Sequence, residues 1–187
     1  MLRRAGADYF NPDEATARIR AANPGISTPA ANSAAWHQGR RLLERAIAEH
    51  LDFAFETTLG GRTIAALLGD AAAAGIEVRI WFVGLNGPEL HMARVRARVA
   101  RGGHDVPDAK VRERYDQSRL NLIALMPRLA ELRVFDNSAD ADPHTGTAPR
   151  PVLILHMASA KIVEMIDLPK TPAWARPLVA AAITTPQ

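Results

Sequence analysis

Several groups of residues in this chain have types and spacing suited to chemistry. Glu56-Thr57-Thr58 follows the aromatic pair Phe53 and Phe55 and leads through Gly60-Gly61 to Arg62. A carboxylate and two hydroxyls at a strand end, with an arginine just inside the next helix, can bind a polyhydroxyl ligand and donate to a phosphate. The same residues have a plainer use, in which Thr58 caps the following helix and Glu56 pairs with an arginine. Asp13 lies in the first turn of a helix that Asn11-Pro12 opens. An acid there complements the helix dipole, or serves as a general base toward a substrate hydroxyl. Asn86 and Asp136-Asn137-Ser138 complete the polar groups expected where strands end.

The net charge of +3 is concentrated in one segment. From Pro88 to Arg133 there are ten basic residues, nine of them arginine, against six acids. Arginine favours bidentate phosphate or carboxylate contacts, where lysine acts as a point charge. Arg94, Arg98 and Arg101 recur at helical spacing before Gly102-Gly103-His104-Asp105, and Arg112, Arg114 and Arg119 follow Pro107. Two such helices around a glycine turn form either a hinged lid over a polyphosphate or a solvated charged hairpin. His104 in the turn is a local hydrogen-bonding residue in the second case.

The elements that must position these groups alternate. Asn11-Pro12 predicts a helix to about Ala22, and a loop through Ser27-Thr28-Pro29 precedes a helix from about Ser33 to His50. A strand over Phe53 to Thr57 is followed by a helix over Arg62 to Ala74, closed by Gly75. Ile76 to Gly84 is a nearly continuous apolar run of the kind buried on both faces of a parallel sheet. Pro88 and Pro107 open the two helices of the arginine segment; Leu132 to Phe135 and Val152 to His156 read as strands, with a short packing helix after Thr171. The pattern predicts an α/β fold with a mostly parallel sheet, whose ligands sit beyond the carboxyl ends of the strands.

Other classes are excluded or disfavoured. The chain has 187 residues and no cysteine, so it carries no disulfide scaffold, thiolate metal site or thiol nucleophile. The six histidines lack HExxH or comparable spacing, and no metal site is expected. No apolar run approaches the ~20 residues of a membrane span, and Met1-Leu2-Arg3-Arg4 leads into polar sequence, so no membrane association and a cytoplasmic location are expected. Nucleic-acid binding through the arginines is disfavoured because Tyr115 is the one aromatic near them. No Gly-x-x-x-x-Gly-Lys-Ser/Thr phosphate loop occurs in the sequence; the lysines are Lys110, Lys161 and Lys170, none preceded by glycine.

Taken in order, the segments from Ala54 to Thr63, Pro88-Glu89-Leu90, Arg94 to Val99, Gly102-Gly103-His104-Asp105-Val106-Pro107, Arg114-Tyr115 and Asp136-Asn137-Ser138 resemble the zeta toxin family, more narrowly its stand-alone ATPase-like members. The resemblance runs from Tyr9 to about Asn137. It implies a P-loop NTPase-like, three-layer kinase fold over residues 1–138, with a C-terminal extension over residues 139–187 packed on the same domain. It also implies ATP and Mg2+ as cofactors, a small phosphate acceptor such as UDP-N-acetylglucosamine, and an antitoxin protein as partner. By the same resemblance Asp13 matches the catalytic base, and Glu56, Thr57, Thr58 and Arg62 match the substrate side. Arg98, His104, Arg112 and Arg114 match the arginine-rich lid on ATP, and Asp136 and Asn137 lie on the nucleotide side.

In that family the first strand and its phosphate loop precede the region of Asp13. The chain as read is therefore expected to be a truncated kinase without its Walker A loop, inactive by itself, with unpaired strand edges and apolar surface left exposed. The alternatives are a degenerate homologue acting as a non-catalytic binding or regulatory module, and an arginine-rich nucleic-acid-binding protein.

Overall fold

A computed structural model of the chain describes residues 8–101, 105–139 and 150–185. The chain folds as two compact units that divide between Thr58 and Leu59. Each contains parallel strands and helices, so the fold is mixed α/β.

In the first unit, β1 (Asp8–Phe10) and β2 (Phe53–Phe55) form a two-stranded parallel sheet in the register Tyr9 to Ala54 and Phe10 to Phe55. The long crossover between them is a pair of helices, α1 (Pro12–Ala22) and α2 (Thr28–Glu49). Helix α1 begins as the sequence predicts: Asn11 caps it with its side chain, and Pro12 occupies the first turn, where its missing N–H costs nothing. Helix α2 begins at Thr28 and not near Ser33, because Ser27 accepts from the Ala30 N–H at 3.3 Å and Pro29 sits in the first turn. The Ser27-Thr28-Pro29 segment read as a loop is thus a second cap-and-proline start. His50 ends α2 in the left-handed conformation, φ 53°. Phe10 anchors the small core with Ala15 and Ala35, and Gly39 of α2 admits it; a β-carbon on Gly39 would lie 2.5 Å from Phe10 Cε1.

The second unit opens with α3 (Arg62–Ala73), followed by β3 (Arg79–Gly84), α4 (Pro88–Val99), α5 (Asp108–Leu125) and β4 (Glu131–Asp136). After residue 150 come β5 (Val152–Ala158), β6 (Lys161–Met165) and α6 (Arg176–Thr184). The sheet order is β3-β4-β5-β6; β3 and β4 are parallel, and β5 and β6 are antiparallel additions. This sheet is therefore mixed, and the C-terminal region supplies half of its strands. Between β5 and β6 the reason is the Ser159-Ala160 turn, whose two residues both hold positive φ, 48° and 64°. Such a turn closes a tight hairpin and leaves no room for a crossover helix. No Asn-Gly pair announces it, which is why β6 is not apparent in the sequence.

Strand β3 also departs from expectation. It starts at Arg79, and burial alternates along it: Trp81 and Val83 are 55% and 52% exposed, whereas Phe82 and Gly84 face the inside. The apolar run is buried on one face and not on two. Inside, Leu132, Val134, Leu155 and Met157 of the central strands are buried, as are Leu122 of α5 and Leu178 and Val179 of α6. Among the described residues no helix is long and apolar enough to cross a membrane.

Candidate functional site

Parallel pairing of β1 and β2 brings two of the predicted groups to one place. Both strands run out at the same end, so Asn11 and Asp13 follow β1 where Glu56 follows β2, and the Glu56 N–H donates to the Phe10 carbonyl at 3.1 Å. Glu56 accepts from the Tyr9 hydroxyl on one oxygen and from Asn11 Nδ2 at 3.0 Å on the other. The Asn11 carboxamide works in both directions: its Oδ1 accepts from the backbone N–H groups of Asp13 and Glu14, at 2.8 and 3.1 Å. One asparagine thus fixes the start of α1, the acid in its first turn and the carboxylate of the neighbouring strand. The hydrogen bond to Glu56, then desolvation, hold the Tyr9 phenol above its ordinary pKa of 10.0.

This geometry replaces both plain readings of Glu56-Thr57-Thr58. Glu56 pairs with Tyr9 and Asn11 and not with an arginine. Thr58 does not cap α3, whose N-cap is Gly61 without any side-chain cap. Glu56, Thr57 and Thr58 are exposed after β2, and Arg62 opens α3 in the second unit. Tyr9 and Asn11 are the partners that the sequence does not single out. Asn11 reads only as a helix cap, and Tyr9 becomes relevant only once the β1–β2 register is known.

At the carboxyl ends of β3 and β4 the second polar group is locked by protein partners. Asp136 Oδ1 accepts from the Ser138 N–H at 3.2 Å, from the Ser138 hydroxyl, and from Trp174 Nε1 at 3.0 Å. The Asn137 N–H donates to the Gly84 carbonyl at 2.9 Å, and the Asn86 N–H donates to Ser138 Oγ at 2.8 Å. Trp174, buried, packs against Gly84, where a β-carbon would come within 2.2 Å of its ring. The Tyr115 hydroxyl bridges the Leu85 carbonyl at 3.2 Å and the Gly87 N–H at 3.0 Å.

The arginine hairpin is laced by ion pairs. Arg96 pairs with Asp108 and Arg112 with Glu89, both at 2.6 Å across α4 and α5, and Arg94 donates to the Ala139 carbonyl at 3.1 Å. The Arg112 hydrogen bond holds the Glu89 carboxyl below its ordinary range. Arg98 and Arg114 are exposed, and Gly60 allows the Arg114 stem to approach, since a β-carbon there would lie 2.7 Å from its Cγ. Arg101 lies past the end of α4, so it does not continue the Arg94–Arg98 face. Arg119 turns inward, stacks 4.3 Å over the Tyr115 ring and donates to the Trp174 carbonyl at 3.2 Å. Burial, then Arg94, lowers the pKa of His91, which packs edge-on against Tyr115. His104 lies outside the described residues.

No protein-family model matches the chain, and no solved structure matches it. It is 36% identical over 74 residues to an uncharacterized protein of Haemophilus influenzae. The match covers 40% of this chain and 53% of that protein, so the chain spans about half the length of this relative.

One further contact concerns the loop before α3. Leu59 is buried with φ 53°, a left-handed conformation unfavourable for a branched side chain. Asn121 of α5 holds it there, donating to the Leu59 carbonyl at 2.7 Å and the Gly61 carbonyl at 3.2 Å, while Gln117 donates to Asn121 Oδ1 at 2.9 Å. Among the described residues no group of three or more histidines and carboxylates is placed to hold a metal ion.

Proposed function

We propose that the chain carries the acceptor side of a zeta-toxin-like, P-loop NTPase-type phosphotransferase. In this reading the first unit binds a sugar nucleotide such as UDP-N-acetylglucosamine, and the chain by itself does not turn over ATP. The observation that supports it is the gathering of Asn11, Asp13 and Glu56 at the carboxyl ends of two parallel strands. In sheets of this kind such ends are the ordinary place for a ligand. Glu56 accepts a sugar hydroxyl in exchange for Asn11 or Tyr9. Asp13 takes the proton of the hydroxyl that is phosphorylated. ATP and Mg2+ are the donor pair that this chemistry uses; a lysine-bearing phosphate loop would hold them, and the sequence contains none.

The test is calorimetric titration with UDP-N-acetylglucosamine. Saturable binding is expected, weakened ~10-fold or more by Glu56→Gln, as for the loss of a charged acceptor. Asp13→Asn, which acts on the proton and not on the sugar, is expected to change the affinity by less than ~3-fold. No binding by the native chain, or equal binding by Glu56→Gln, overturns the reading. The paired state of Arg94, Arg96 and Arg112 favours the second reading, a non-catalytic binding module. In that case acceptor binding persists, and a chain extended by a lysine-bearing phosphate loop still transfers no phosphate.

A further inference from the structure

Among the described residues, the outer edge of β3 pairs with no further strand. Val78 and Gly84 turn their carbonyls toward β4, accepting from the Ala130 and Asn137 N–H groups at 2.9 Å each. By strand alternation the N–H and C=O groups of Arg79, Trp81 and Val83 therefore point the other way, to the side on which the sheet has no further strand among the described residues. From Ile80 through Gly87 this edge carries no charge, proline or register shift. The opposite edge, β6, carries Lys161 and Glu164, and its pairing with β5 is shifted. Charges and irregularities of that kind keep an edge from pairing; β3 pairs with β4 without a shift, and its one charge is Arg79 at its first residue.

We infer that β3 is a dimerisation strand, pairing antiparallel with β3 of a second copy of this chain. The inference does not rest on the phosphotransferase reading. Three features of the edge select a second copy. First, a two-fold axis at Phe82 sets Trp81 opposite Val83 of the other copy, and both belong to the set whose backbone groups face outward, so each pair exchanges N–H and C=O bonds. Second, the side chains agree in face: Trp81 and Val83, more than half exposed, meet as an aromatic and β-branched cross-strand pair on the solvent side. Third, no like charges meet, because Arg79 falls opposite Leu85. A contact of two short strands is smaller than the ~1,200 Å² of a standard interface, so the association is weak and depends on concentration.

Sedimentation equilibrium of the native chain tests this. The expected result is a species of twice 20.3 kDa that grows with protein concentration. Trp81→Pro removes an N–H that only the second copy would use, and Val83→Lys places a charge on the edge. Each is expected to weaken the dimer ~10-fold or more. Val83→Lys changes an exposed side chain and retains the far-ultraviolet dichroism of the native chain, so the test does not depend on tolerance of proline. Val163→Lys, on the opposite edge, leaves the dimer intact. A native chain that is monomeric at every concentration overturns the inference. So does a dimer indifferent to Val83→Lys or dissolved by Val163→Lys.

Discussion

The two units place polar residues at the carboxyl ends of parallel strands and use them differently. In the first, Glu56 is exposed and held by side-chain hydrogen bonds from Tyr9 and the half-buried Asn11, which a ligand's hydroxyls can replace. In the second, Asp136 is tied to its own turn and to a buried tryptophan. The lesson is that position at a strand end nominates a residue, and the identity of its partners decides its use. Exposed groups can exchange partners, whereas groups bonded to the core cannot without loss of stability.

The largest effect that would sharpen this contrast is at Trp174. Trp174→Ala empties the space over Gly84 and strips a donor from Asp136, and is expected to destabilise the second unit by ~3–5 kcal/mol in chemical denaturation. A loss under ~1 kcal/mol would place Trp174 at the surface and free Asp136 for a ligand. Asn11→Ala comes next, at ~1–2 kcal/mol, since it removes a helix cap together with a hydrogen bond to a carboxylate. Hydrogen exchange should show it as weakened protection in α1.

Much of this was legible in the sequence, and the exceptions have physical causes. The starts of α1, α3, α4 and α5 are written in local signals, asparagine-proline, glycine-glycine and two prolines. The start of α2 uses a signal of the same type at Ser27 and Pro29, but in a segment that also reads as a turn. The run from Ile80 to Val83 locates a strand correctly, yet hydrophobicity alone does not reveal that one face has no cover. Strand β6 is short and does not alternate cleanly, and its turn uses serine and alanine where glycine is the usual mark. At the site, Glu56 and Asp13 are identifiable by type and place, whereas Tyr9 depends on register and Trp174 on a contact 90 residues from Gly84 in the chain.

Smaller effects concern titration. The Tyr9 phenol lies above 10.0, so its contribution to the first unit is complete below pH 10.0 and is lost as pH rises through the raised value. Ultraviolet titration should find Tyr9 ionising late, and Glu56→Gln should return it toward 10.0. In the second unit the half-buried His91 titrates below 6.5, so its contribution is present above pH 6.5 and is lost as pH falls toward the depressed value. His91→Phe should flatten the acid limb of the melting curve. The smallest effect is expected in the hairpin. Arg96→Ala and Arg112→Ala break exposed ion pairs and should each change stability by ~0–1 kcal/mol.

The contrast between the units is tested most directly by titrating one sample of the chain with UDP-N-acetylglucosamine and with Mg-ATP in parallel. The account predicts saturable heat with the sugar nucleotide and none with Mg-ATP, because the proposed acceptor site lies in the first unit and no lysine-bearing phosphate loop is present in the sequence. Micromolar binding of Mg-ATP with no response to the sugar nucleotide would contradict it.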